Sequence, residues 1–309
     1  MSNSNYEVII VGGGPAGLTA GLYTCRAGLK TLLIERNFIG GQIVNAALLE
    51  NYPGFPEGIS GFDLMARMQE QATKYGLEII TGEQVNDLSS NIAGDFNVAT
   101  QEKTYTAKAI IITTGGEYSK LGVEGEARYT GKGVSYCATC DGFLFHDKEV
   151  AVVGGGDTAV TDALELSQHA SKVTVIHRRD QLRASDVLQK KAFAEPKLHF
   201  QWDSIVNKIV GDEMVTGLEI KNVKTGQVST LNLDGVFIAV GVKPNSSGFS
   251  KVVDIDEDGN IIVLDTSLRT KTAGIFAAGD IRQGSPRQVS SAVGDGAVAA
   301  LSAYKYLKE

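Results

Sequence analysis

Residues Glu7-Val8-Ile9-Ile10-Val11-Gly12-Gly13-Gly14-Pro15-Ala16-Gly17 decide the fold. The apolar run at residues 8–11 reads as a short buried strand, and the glycines end it. A helical pattern follows through Leu18, Leu22 and Ala27. A second strand, Thr31-Leu32-Leu33-Ile34, ends at Glu35, 18 residues past Gly17. Strand, G-x-G-x-x-G, helix, strand and acid form the dinucleotide fingerprint in its expected context. Gly12, Gly14 and Gly17 permit a tight turn and close approach of a pyrophosphate. Pro15 and Ala16 open a helix whose unpaired N–H groups and positive dipole end attract an anion. Glu35 can accept a hydrogen bond from a ribose 2′-hydroxyl, so this unit suits FAD or NAD.

The pattern occurs twice. Shifting residues 7–36 by 142 aligns them with residues 149–178 without a gap. Glu7, Val8, Val11, Gly12, Gly13, Gly14, Thr19, Leu22, Lys30, Ile34 and Arg36 each meet their own residue type. The second turn is Gly154-Gly155-Gly156-Asp157-Thr158-Ala159, with Ala159 at the third glycine position, as the G-x-G-x-x-G/A pattern allows. The copies differ where it matters. Glu35 is replaced by His177, followed by Arg178-Arg179-Asp180-Gln181-Leu182-Arg183. The acid that reads a 2′-hydroxyl is gone, and arginine forks suit a 2′-phosphate. The second unit therefore takes NADPH. A flavin paired with NADPH is more sensible than two nicotinamide sites, because flavin can split hydride chemistry into thiol or single-electron steps.

Working outward, residues 62–75 and 289–306 have helical spacing, and residues 105–114 become an apolar strand ending at Gly115-Gly116. Residues 40–42 and 50–54 read as loops. Strand-ending turns recur at Gly241 and at Ala277-Ala278-Gly279-Asp280, the last placing Asp280 against a ligand. The chain has 309 residues, 43% hydrophobic and 21% charged, enough for about two domains with full cores. Glycine numbers 36, an excess that predicts many tight turns. A net charge of −7 argues against nucleic acid and anionic membrane as partners. No basic leader and no apolar run of spanning length is visible, so the chain reads as cytoplasmic.

Three cysteines are too few for a disulfide-stapled scaffold. Cys137-Ala138-Thr139-Cys140 is followed at once by Asp141, and Cys25 falls inside the first helix. A zinc site needs two more ligands than the pair provides; His146 stands alone near it. Inert thiols are a second alternative. A redox-active dithiol is favoured, because the pair directly precedes an NADP-type unit in a chain that also holds a flavin-type unit.

Together Cys137-Ala138-Thr139-Cys140-Asp141, the two glycine turns, the His177-Arg178-Arg179 run, Gly40-Gly41-Gln42, Ala277-Ala278-Gly279-Asp280 and Arg287-Gln288 resemble the low-molecular-weight thioredoxin reductases over essentially the whole length. The resemblance implies an α/β fold of two Rossmann-like, three-layer (ββα) domains, with an NADPH domain (117–244) inserted into an FAD domain (1–116 and 245–309). It implies a homodimer, thioredoxin or a thioredoxin-like protein as partner, and no metal. Arg36, Gly41, Gln42, Asn51, Gly115, Gly279, Asp280, Arg287, Gln288 and Val289 would join Glu35 and the first turn around FAD. Gly154, Gly156, Asp157, Thr158, His177, Arg178, Arg179 and Arg183 would hold NADPH. Cys140 would face the flavin, Cys137 would attack the partner disulfide, and Asp141 would protonate the departing thiolate. One pair cannot serve flavin and protein at once, so the resemblance also implies rotation of one domain, with hinges near Gly115-Gly116 and residues 242–245. Same-fold alternatives are a reductase of a glutaredoxin-like or peroxidase-linked carrier and a non-catalytic NADP-sensing protein; transfer to ferredoxin would not need the cysteine pair.

Overall fold

The computed structural model describes residues 5–46, 48–90 and 94–309. In chain order the elements begin β1 Asn5–Val11, α1 Pro15–Arg26, β2 Thr31–Glu35, α2 Gly61–Lys74, β3 Glu78–Thr81, β4 Asp87–Ser90, β5 Phe96–Ala99, β6 Thr104–Ile112 and β7 Gly116–Tyr118. Next come α3 Glu126–Tyr129, β8 Val134–Ser135, α4 Ala138–Asp141, β9 Glu149–Val153, α5 Asp157–Leu166, β10 Lys172–Ile176, α6 Asp186–Ala194, β11 Leu198–Gln201, β12 Ser204–Gly211, β13 Val215–Asn222, β14 Val228–Asn232, β15 Gly235–Ile238 and β16 Val242–Pro244. The last two are β17 Ile275–Ala277 and α7 Val289–Tyr306. Residues up to Glu117 with Lys243–Glu309 form one compact unit, and Tyr118–Val242 form a second.

In the first unit the parallel strands run β3-β2-β1-β6, and β17 pairs with Ile110, Ile111 and Ile112 at the end of β6. The start of β6 instead pairs antiparallel with β5, and β5 with β4. Strand alternation divides the apolar residues between two faces. Val8, Ile10, Leu33, Ala109 and Ile111 pack beneath Leu18 and Ala20 of α1 and Ala299 and Ala303 of α7. Ile9, Val11, Leu32, Ile34, Ile110 and Ile112 face the opposite layer, with Leu88, Phe96, Val98 and Ile261. The continuous apolar run of β1 is thus explained by burial on both sides.

The second unit repeats the plan. Its parallel sheet runs β11-β10-β9-β15-β8. Val150, Val152, Val173 and Val175 pack on Ala159, Val160, Ala163 and Leu166 of α5. Ala151, Val153, Ile176 and Val236 pack on the antiparallel layer β12-β13-β14 through Val206, Leu218 and Ile220. Both units are therefore helix, parallel sheet and antiparallel sheet in layers. Shifted by 142, α1 begins where α5 begins and β1 ends where β9 ends. Residues 40–42, expected as plain loop, lead into a single 3-10 turn, Gly41–Asn45, entered through Gly40 at φ 120°. No helix among the described residues is long and apolar enough to cross a membrane.

Candidate active site

Cys137 and Cys140 are joined as a disulfide across the single turn α4, with both residues half-buried. Cys137 caps that turn: the Cys140 N–H donates to Cys137 Sγ at 3.2 Å. The hydroxyl of Ser135, at the end of β8, accepts from the Cys137 N–H at 3.1 Å and donates to Asp141 Oδ2 at 2.5 Å. One hydroxyl thus ties the first cysteine to the acid. Burial raises the Asp141 carboxyl above its ordinary range, and the Ser135 bond offsets part of that rise. A carboxyl so placed keeps its proton further toward neutral pH than a free aspartate. Thr139, between the cysteines, donates to Glu165 Oε2 of α5 at 2.9 Å. Asp162, three residues earlier on α5, is pushed up to about 7 by burial and then by Glu165. Among the described residues no group of three or more His, Cys, Asp or Glu is placed to hold a metal.

The two glycine turns fit dinucleotides. A Cβ at Gly12 would lie 2.4 Å from the Thr113 carbonyl oxygen, and one at Gly17 would lie 1.9 Å from the Gly12 oxygen. These positions bring strand, turn and helix together as close as backbones can pack. Gly14 and Gly156, the caps of α1 and α5, have nothing within 4 Å of such a Cβ. That open side exposes backbone at a helix N-terminus, where a pyrophosphate binds. Glu35 accepts from the Gly13 N–H at 2.7 Å and the Asn37 N–H at 2.8 Å, so its carboxylate is fixed beside the turn.

In the second unit His177 takes the place of Glu35, but as a packing group. It is 5% exposed, a Cβ at Gly155 would lie 2.3 Å from its Nδ1, and its Nε2 has no protein partner. Burial, then the charges of Arg183, Arg179 and Arg178, hold its imidazole below the usual range and so neutral at pH 7. The exposed cations are Arg178, Arg179 and Arg183. Two bonds tie their loop to the turn: the Arg183 N–H to the Gly155 oxygen at 2.6 Å, and the Ser185 N–H to Asp157 Oδ1 at 2.7 Å. Thr158 stands in the first turn of α5 beside Asp157.

Other expected residues gather in the first unit. Arg36 pairs with Glu117, and the Gln42 amide donates to the Gly116 oxygen, so neither side chain is free. Gly115 has φ 58°, with open space where a Cβ would be. Gln288 caps α7 ahead of Val289 and receives a bond from Asn51 at 3.3 Å. Asp280 is largely buried; desolvation raises its carboxyl while Arg287 and Ser285 oppose the rise. Gly279 lies at φ 79°. Two residues with no motif hold this turn. Asp295 of α7 accepts from the Gly279 N–H at 3.0 Å and receives both Nε (2.5 Å) and Nη2 (3.0 Å) of Arg282. Ser135 is the third residue that the sequence reading missed. No local signal marks any of the three, because each acts through a partner brought near by folding.

The pyridine nucleotide-disulphide oxidoreductase family model matches residues 6–296. The chain belongs to that family, and its cofactors are FAD and NADPH. Within the family its relatives are thioredoxin reductases. That of Listeria monocytogenes is 48% identical over 98% of this chain and 94% of its own length. That of Bacillus subtilis is 47% identical over 98% and 95%. The crystal structure of thioredoxin reductase from Streptococcus pyogenes superposes with a TM-score of 0.94 at 47% identity, covering 99% of both chains.

Proposed function

We propose that this chain passes electrons from NADPH to the disulfide of thioredoxin, or of a thioredoxin-like protein, through Cys137 and Cys140. One observation carries the proposal: the cysteine pair is bonded to itself, and the Ser135 hydroxyl bridges the Cys137 backbone N–H to the half-buried carboxylate of Asp141. FAD, held by the turn at residues 12–17, by Glu35 and by the Gly279-Asp280 and Gln288-Val289 segment, and NADPH, held by Gly154, Gly156 and the three arginines, supply when bound the two electrons that open the pair. Asn51, Arg36, Gly41, Gln42, Gly115 and Arg287 belong to the FAD side; Asp157, Thr158 and His177 belong to the NADPH side.

The rest is thiol chemistry on this chain's own residues. The Cys137 thiolate attacks one sulfur of the partner disulfide. A Cys137–partner bond forms, the partner's S–S bond breaks, and the second partner sulfur leaves as a thiolate that takes a proton from Asp141. Cys140 then attacks Cys137 Sγ. The internal disulfide is restored, and the other partner sulfur departs and takes up the proton that the Cys140 thiol gave up. The assembly is a homodimer in the cytoplasm.

Purified protein tests this directly. It is yellow, bleaches on anaerobic addition of NADPH, and reduces thioredoxin with NADPH in stoichiometric consumption. Colourless protein, or bleaching without thioredoxin reduction, contradicts the proposal.

A further inference from the structure

The arginine loop carries its own opponent. Arg178 and Arg179 are followed directly by Asp180. A free carboxylate there works against an anionic ligand twice. It repels the ligand, and it offers the guanidinium forks a competing partner.

The structure places that carboxylate elsewhere. Lys224 Nζ lies 3.0 Å from Asp180 Oδ2 and 3.0 Å from Asp203 Oδ2. Lys224 comes from the turn between β13 and β14, 44 residues beyond Asp180. The turn is shaped to present it: Asn222 Oδ1 accepts the N–H groups of Lys224 at 3.0 Å and Thr225 at 2.9 Å. Backbone bonds couple it to the arginine loop through Asp203, whose φ is 49°. The Val223 N–H donates to the Asp203 oxygen at 2.6 Å, and the Asp203 N–H donates to the Arg179 oxygen at 3.2 Å. Asp203 is the sheltered partner, its side chain 17% exposed against 67% for Asp180. The lysine is thus anchored on one acid while it engages the other. Consistent with this, the Asp180 carboxyl is held below its usual range, first by its hydrogen bond from Lys224, and the Lys224 ammonium above its own, first by its bond to Asp203 and then by that to Asp180.

We propose that Lys224 is a specificity-determining residue for 2′-phosphorylated nucleotides, acting as a positioning residue that draws Asp180 away from Arg178 and Arg179. This rests on the reading of Arg178, Arg179 and Arg183 as the 2′-phosphate site. Lys224 leaves 5′-AMP binding alone, because that ligand puts no charge near Asp180.

The test is calorimetric titration of the full-length holoprotein with 2′,5′-ADP and with 5′-AMP, at low and high salt. The wild type prefers 2′,5′-ADP; no preference would remove the underlying phosphate reading itself. Lys224→Met weakens 2′,5′-ADP roughly three- to five-fold at low salt, the scale of an exposed charge pair, and the loss shrinks as salt is added. It leaves 5′-AMP unchanged, and Lys224→Arg retains the wild-type ratio. Asp180→Asn in the Lys224→Met background restores 2′,5′-ADP affinity, because no misplaced carboxylate remains. An unchanged ratio in Lys224→Met overturns the proposal. Equal loss for both ligands overturns it in favour of a purely structural turn. Failure of Asp180→Asn to rescue overturns it in favour of direct phosphate contact by Lys224.

Discussion

At the scale of single residues, chemistry concentrates between Ser135 and Asp141. The disulfide closes α4 into one turn, which brings residues 135 and 141 within 2.5 Å through their side chains. Burial raises the Asp141 carboxyl. Its proton is therefore bound more tightly in the folded chain than in the unfolded one. At pH below the ordinary carboxylate range this makes no difference. As pH rises through the folded value it becomes a cost to stability. Asp141→Asn removes that cost, so thermal melts should show the variant gaining on the wild type as pH rises. The same variant loses the proposed proton donor, and thioredoxin reduction should fall about 100-fold while the cysteine pair remains reducible. A role for Asp141 came only from the family resemblance, whereas the Cys137–Cys140 pair was legible in the sequence because its chemistry resides in residue type and spacing. Ser135 was not, since a serine six residues before an acid acquires meaning only when the turn between them closes.

At the scale of elements, the repeat did most of the work. The β1-α1-β2 and β9-α5-β10 segments carry the same apolar alternation and the same glycines because each must bury both faces of a strand and bring backbones into contact. Their difference, Glu35 against His177, was also legible. The histidine position marks where the acid is lost, yet its ring is packed under Gly155 and the cations that follow it face solvent. Replacing both Arg178 and Arg179 by Ala should therefore raise KM for NADPH at least ten-fold more than KM for NADH in steady-state assays, two charge-assisted contacts being lost. Equal rises would mean that the arginines do not read the phosphate. The Arg282–Asp295 pair was invisible beforehand, because its members lie on a loop and on α7, 13 residues apart. Their side chains are only 17% and 13% exposed. Asp295→Ala leaves a sheltered guanidinium and the Gly279 N–H without their acceptor. It should cost about 3 kcal/mol in denaturant unfolding and loosen FAD, read as faster flavin release on dilution.

At the scale of the whole molecule, two layered units share one chain, joined through β7 and β16. The fold class was legible because two dinucleotide patterns in sequence demand two parallel sheets. The antiparallel layers were less so: β12, β13 and β14 lack any motif, and β14 has no buried face to mark it. The proposed chemistry asks the cysteine pair to meet FAD, held by the first unit, and then a protein disulfide. That proposal asks the connecting strands to let the units move. An engineered covalent link between the units should abolish NADPH-dependent thioredoxin turnover and restore it on reduction of the link; unchanged turnover would show that no such movement is needed.

In the proposed relay the two sulfurs are unequal, with Cys137 reaching the partner. It is tested most directly by trapping. Cys140→Ser, mixed with a single-cysteine thioredoxin activated as its thionitrobenzoate mixed disulfide, should release thionitrobenzoate and yield a protein–protein disulfide that mass spectrometry maps to Cys137. Cys137→Ser under the same conditions should yield none. A covalent adduct mapped to Cys140, or equal trapping by both variants, would contradict the account.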